Sequence, residues 1–310
     1  MKKLRFLVSL ITKDNDYQME QANAAAETAR RLGHEAQITF AANDPINQGQ
    51  QLLDVIQSSS EPHPDAIVVE PVGGTGLPHV ARAAASADIG WAVLNRDVDY
   101  IPELRRIGHA PVFAVSTDHR EIGRIQGRQV AALVPTGGTV VYIQGPSSSS
   151  VARQRTTGME ETKPESTKLI VLRGQWTEDT AYQAVCSWMM LSTSHKLPID
   201  TFASQNDDMA IGARRAIQGH SNAAIRDKWL SLPFTGVDGL PNTGQEYVRC
   251  GLLAATVVTP PITTLAIETF VAALQNGSQP AELIMSAPVS YPSIGEIVSK
   301  RAKGPRTPAP

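Results

Sequence analysis

Short β-branched runs alternate along this chain with longer alanine-rich amphipathic runs, the pattern of a parallel sheet flanked by helices rather than of a sandwich. Residues 5–11 read as a first strand, and residues 18–32 as a helix stopped by Gly33. The unit repeats as strand 35–40, helix 47–57, strand 66–70, helix 77–86 and strand 91–94. At residues 111–115 the chain is expected to leave this sheet. A second set follows: helix 120–133, strand 139–143, a helix from about Ser150, strand 169–172, helix 180–191, strand 201–203, helix 207–217, strand 234–237, helix 243–249 and strand 254–258. Pro260-Pro261 then precede a long helix, 264–275, whose position suggests a return to the first half. A stretch at 225–232, containing Trp229, carries no functional reading, and the Pro- and Lys/Arg-rich end reads as a frayed tail.

The 310 residues suit two lobes of about 150 residues each. A hydrophobic fraction of 42% with 19% charged residues describes a chain able to bury a large core, not a disordered one. The 28 Lys+Arg against 30 Asp+Glu leave a net charge of −2, so no overall positive field attracts nucleic acid or an anionic membrane, and no DNA-binding headpiece is expected. Met1-Lys2-Lys3 imitates the start of an export signal, but the apolar run behind it is short and interrupted by Arg5, so it reads better as the first strand. The expectation is a cytosolic chain or one whose export signal has been removed. Cys186 and Cys250 permit one bridge at most and read as small buried hydrophobes.

Catalytic and cofactor motifs do not emerge. Gly73-Gly74-Thr75-Gly76 follows a strand and precedes a helix but lacks both the GxGxxG spacing and the GxxxxGK[ST] lysine, so a plain turn is the better reading. There is no GxSxG elbow, and Ser147–Ser150 reads as a polar loop. The seven histidines, at 34, 63, 79, 109, 119, 195 and 220, form no HxxxH or HExxH pair and read as surface or loop residues. No cofactor and no metal are expected. What stands out is a set of polar and aromatic side chains just past the predicted strands, where open α/β sheets place ligands. Asn15, Tyr17, Glu70, Asn95 and Arg96 lie there in the first half, and Arg155, Trp176, Asn206 and Asp238 in the second.

On these residues the chain resembles the type I periplasmic sugar-binding proteins, the ribose/galactose-binding group that shares its fold with the LacI-type repressor core. The resemblance rests on residues 9–33, Asp65-Ala66-Ile67-Val68-Val69-Glu70-Pro71, Val93-Leu94-Asn95-Arg96-Asp97, Gly145 with Arg155-Thr156-Thr157-Gly158-Met159, Gln205-Asn206-Asp207-Asp208-Met209-Ala210-Ile211-Gly212-Ala213, and Gly236-Val237-Asp238-Gly239. It implies an α/β fold of two Rossmann-like lobes, each a parallel sheet flanked by helices, joined by a multi-strand hinge. The lobes would comprise 1–116 with 260–289 and 117–259 with 290–300, leaving 301–310 as the tail. By position, Asn15 and Tyr17 match the family's first-strand asparagine and aromatic, Asn95-Arg96 its Asp-Arg pair, and Arg155 its arginine three residues before glycine. Asn206 matches the asparagine of QND, Asp238 the aspartate of the VDG turn, Thr259 the interlobe polar residue, and Trp176 lies near the second-lobe aromatic. Gln18 stands where many relatives have a second aromatic, Glu70 where ribose binders tend to have an amide, and Asn95 where an aspartate is usual.

Such a pocket suits a sugar, whose hydroxyls both donate and accept and so need carboxylates, guanidiniums and bifunctional amides together. For each residue a purely structural role competes: helix N-caps for Asn15 and Asn206, a turn for Asp238, an ion pair for Arg96, a core or rim position for Trp176. The resemblance implies a monomeric, non-enzymatic solute-binding protein that captures a monosaccharide or other polyol by hinge closure and hands it to the membrane permease of an ABC transporter, in the periplasm. A cytosolic sugar sensor without a DNA-binding domain is the alternative, and a sugar isomerase or hydrolase a third reading.

Overall fold

The computed structural model describes residues 2–59, 62–73, 76–96 and 98–302. The chain opens with β1 (Arg5–Leu10), α1 (Asp16–Arg31), β2 (Glu35–Phe40), α2 (Pro45–Gln57), β3 (Ala66–Val69), α3 (Pro78–Ser86), β4 (Gly90–Leu94), α4 (Ile101–Ile107) and β5 (Val112–Thr117). It continues with α5 (His119–Leu133), β6 (Thr139–Gln144), α6 (Ser150–Thr162), β7 (Lys168–Arg173), α7 (Glu178–Met189), β8 (Ile199–Ser204), α8 (Asp207–Gln218), α9 (Ala223–Leu230), β9 (Phe234–Thr235), α10 (Gly244–Arg249) and β10 (Thr256–Val258). The last elements are α11 (Ile262–Asn276), β11 (Leu283–Ser286), β12 (Val289–Tyr291) and α12 (Ile294–Ala302). Two compact units result. One takes the residues up to Thr117 together with Pro260–Ser286, the other Asp118–Thr259 together with the residues from Ala287 on.

The first unit is built on a six-stranded parallel sheet in the order β11-β5-β4-β3-β1-β2. β3 and β4 are buried along their whole length, which is why they read as continuous apolar runs rather than as alternating ones. One face carries α1 and α11, with Phe270 of α11 lying 4.6 Å from Phe113 and 6.1 Å from Phe6, ring centre to ring centre. The other face buries Leu52 of α2, Val80 of α3 and Leu104 of α4 around Trp91. β5 corrects an expectation: residues 111–115 do not leave the first sheet but lie inside it, between β4 and β11. The partner that makes β5 an interior strand comes from the far end of the chain.

The second unit has the parallel order β7-β6-β8-β9, with bridges Thr235↔Ala255 and Asp238↔Val258 bringing the β10 segment alongside and β12 pairing antiparallel to β10. That pairing puts Val289 opposite Val258, so residues 287–289 go with the second unit and not the first. Arg301 likewise belongs to α12 rather than to a tail, since its guanidinium donates to the Ala132 carbonyl at 2.8 Å. The remaining tail residues, 303–310, lie outside the described residues, as do Gly74, Thr75 and Asp97. The stretch at 225–232 falls on α9 and the turn after it, where buried Trp229 stacks on Trp188 at 5.2 Å. Its role is in the core.

Two expectations for single residues change. Cys186 is half-buried but Cys250 is exposed, and both are free. His34 and His119 are buried rather than superficial; His34 Nδ1 accepts the Leu4 amide at 3.2 Å and so ties the end of α1 to the start of β1.

The unit's tightest crossing is that of α5 and α6. A Cβ on Gly158 would overlap the Arg120 carbonyl, and one on Gly123 the Arg155 carbonyl, so the backbones touch and Thr162 Oγ1 donates across to Arg124 O at 2.8 Å. This contact sets the height of α6, and with it of Arg155, over the sheet. Gly158→Val should therefore lower stability by about 1–3 kcal/mol through overpacking, read as a lower urea midpoint at unchanged m-value.

Candidate functional site

In the first unit the candidate residues gather where β1, β3 and β4 end. The centre is Glu70, the residue after β3, buried with both carboxylate oxygens engaged. Gln18 Nε2 donates to Oε2 at 2.8 Å and Asn95 Nδ2 to Oε1 at 3.3 Å. Asn95 Nδ2 also lies 3.1 Å from Tyr17 Oη, its donor to that oxygen, while Gln18 Oε1 accepts the Ile11 amide at 2.9 Å. Arg96 stands 4.0 Å from Glu70, but its hydrogen bonds run to backbone carbonyls: Nε to Gly73, Nη1 to Asn95 and Nη2 to Pro71, at 2.8–3.0 Å. Gly73 thus offers its carbonyl to a guanidinium rather than its amide to an anion. Burial pushes the Arg96 guanidinium below its ordinary value, against the opposing pull of Glu70 and Tyr17.

Local sequence explains the positions. Asn15 caps α1, its side chain accepting the Gln18 amide at 3.0 Å, which starts the helix so that Tyr17 and Gln18 occupy its first turn. Gln48 of α2 braces Glu70 from behind: Nε2 donates to Glu70 O and to Ser9 Oγ, and Oε1 accepts the Val72 amide. Sequence reasoning passes over Gln48, although a signal is present, because it shares the buried helical stripe of Leu52 and Ile56.

In the second unit, Arg155, Trp176 and Asn206 come together beyond β6, β7 and β8. The Arg155 guanidinium sits 5.6 Å from the Trp176 ring centre, Nη1 donates to Gln205 O, and Nε is buried with no hydrogen-bond partner. Asn206 caps α8 by accepting the Met209 amide at 3.0 Å and donates from Nδ2 to Trp176 O at 2.9 Å. The indole lies against Gly145, where any Cβ would strike the ring. Gln205, noted at a strand end in the sequence but not among the expected ligand-binding residues, ties this together: its Nε2 donates to Tyr142 Oη, Ala152 O and Thr156 Oγ1, and its Oε1 accepts the Gly145 amide. Asp238 and Thr259 form a separate pair, Thr259 N donating to Asp238 O at 3.0 Å. They reach the others through Asp207, whose Oδ2 accepts the Gly239 amide at 2.8 Å and Oδ1 the Thr256 hydroxyl at 2.7 Å.

Three of these residues, Asn95, Trp176 and Asp238, have φ of +51°, +68° and +107°. Asparagine and aspartate tolerate this region, but tryptophan does not, and such backbone costs on the order of 1–3 kcal/mol and persists only where its surroundings enforce it. Here the Asn206 amide and the bare face of Gly145 hold Trp176 in place.

Residues 6–279 match the periplasmic binding protein domain family. The chain belongs to that family. The match takes in most of both units, and the family is one of binding proteins rather than enzymes. Among curated relatives, the ribose import binding protein RbsB of Salmonella typhimurium is 24% identical over 261 residues, 84% of this chain and 81% of the relative. Among solved structures, a galactofuranose binding protein superposes with a TM-score of 0.80 at 22% identity, covering 97% of this chain and 99% of that one. The Caulobacter myo-inositol binding protein bound to myo-inositol gives 0.78 at 20% identity, covering 96% and 95%. These superpositions establish the type I periplasmic binding protein fold.

Within this periplasmic binding protein, Asp207 is a structural carboxyl. Complete burial raises it to about 8, against the lowering effect of its two hydrogen bonds. Between the ordinary aspartate value and about 8 the folded chain keeps a proton that the unfolded chain releases, so stability falls as pH rises across that window. Asp207→Asn can keep both contacts, with Oδ1 on the Gly239 amide and Nδ2 donating to Thr256. Urea unfolding from pH 5 to 8 should show wild type losing stability relative to this variant.

Proposed function

We infer that the protein is a non-catalytic receptor for a small polyhydroxylated solute, a monosaccharide or similar polyol. It serves a membrane importer of the ABC type and acts in the periplasm. The observation that carries this reading is Arg155: a buried guanidinium beside an indole, with Nε lacking an acceptor among the described residues. A buried donor left unpaired costs about 1–3 kcal/mol, and a ligand hydroxyl is the group that repays it. The indole alongside suits the C–H face of a sugar ring. Glu70, Asn95, Gln18 and Tyr17 supply acceptors and donors of fixed orientation, as a ligand whose hydroxyls do both requires.

The relatives support the same class of ligand, being named for ribose, galactofuranose and myo-inositol. Asn15, Arg96, Asp238 and Thr259 complete the proposed set, Asn15 and Arg96 by holding its frame.

Calorimetry across a panel of pentoses, hexoses in both ring forms, inositols and sugar alcohols should find at least one tight ligand, and silence across the panel would sink the reading. For that ligand, Arg155→Ala and Glu70→Gln should each weaken binding at least tenfold. Asn206→Ala should in addition lower stability by about 1 kcal/mol, the cost of the lost α8 cap, measured on the ligand-free protein.

A further inference from the structure

The corner of the second unit built by α9 holds two imidazoles that the solute site does not use. His195, in the short turn Ser194–Lys196, and His220, just past α8, bring their Nε2 atoms to 3.3 Å. The rings meet edge to face at 78° and 5.1 Å, and each leans on Trp229, at 5.8 Å and 6.0 Å. Trp229 is buried and stacked on Trp188, so both imidazoles rest on a fixed indole instead of waving in solvent. His195 is exposed and His220 half-buried, which leaves the pair open to solutes.

Two nitrogens bound at about 2.0–2.1 Å to one tetrahedral ion stand roughly 3.3–3.4 Å apart. The separation of the two Nε2 atoms matches that span. We propose that His195 and His220 form a two-imidazole site for a borderline divalent transition ion of the Zn2+ or Cu2+ type. Without an ion, one ring donates its Nε2–H to the other. For an ion to bind, both Nε2 lone pairs must be free; in the ion-free form the Asn222 amide donates to His220 Nδ1 at 3.1 Å, which leaves the His220 proton on Nε2, so binding has to move that proton to Nδ1, where the Asn222 carbonyl stands 3.4 Å away. With the proton on Nδ1 it donates to that carbonyl, the arrangement that fixes a ligating histidine's tautomer elsewhere. Among the described residues no group of three metal-binding side chains forms, so the remaining positions go to water. A nitrogen-only pair with open positions selects Cu2+ over Zn2+ and both over Mg2+ or Ca2+.

The test uses the full chain stripped of metal. Titration with ZnCl2 by calorimetry should show one ion per chain, and CuCl2 should quench part of the tryptophan emission in a saturable way, because Trp229 adjoins the site. His195→Phe and His220→Phe keep a ring against Trp229 and should each weaken Zn2+ binding at least tenfold. Zn2+ should also raise the melting midpoint of wild type and not of the variants. His195→Gln, at the exposed position, serves if a phenylalanine variant fails to fold. Wild-type affinity in these variants, or no saturable Zn2+ heat at millimolar ion, would overturn the proposal.

Discussion

A carboxylate buried at the end of a parallel strand must be answered by donors, and the first unit is arranged around that demand at Glu70. Leaving it charged and unpaired would cost several kcal/mol. Two neutral amides answer it, with the nearest cation, Arg96, held off at 4.0 Å by its own commitments to backbone carbonyls. The result is an oriented set of polar groups whose geometry is shared among β1, β3 and β4, so that no one strand end can shift without disturbing the rest. The second unit has an uncharged amide as its centre, Gln205, which donates to Tyr142 Oη and Ala152 O and accepts the Gly145 amide.

The parts legible from sequence are those with a local cause. β2 spans the residues its own pattern predicts, and α1, α5 and α8 begin within about two residues of expectation because capping residues precede them. Elements defined by distant partners were not legible. β5 looks like a departure from the first sheet until β11 is seen beside it, and β11 itself, with Leu283 and Met285 half exposed, has no clean alternation. α4, β12 and α12 are short, and α9 gives weak periodicity. Among site residues, those past strand ends stood out by position. Gln48 did not, since it lies inside a helix and its work is done through contacts more than twenty residues away, while Gln205 stood at a strand end but its bracing role shows only in its distant contacts.

Asn15 and Asn206 show why a choice between capping and binding is a false one. Each starts the helix that follows it, so the same side chain that satisfies a helix-end amide also sets where Gln18 or Trp176 sits. The strained backbone at Trp176 has the same logic: the indole is presented where it stands because Asn206 and Gly145 leave it no alternative.

The discontinuity of the first unit has a consequence for how the protein comes into being. Phe6 and Phe113 are made early, but Phe270, the ring that lies against them both, follows only after Asp118–Thr259, the larger part of the second unit, has been synthesised. Until α11 and β11 arrive, the emerging amino-terminal segment has one face of its sheet covered by α1 alone and an unfilled edge beside β5. The nascent chain is a sticky intermediate for as long as the ribosome needs to deliver α11, which makes that interval the point at which a chaperone matters most.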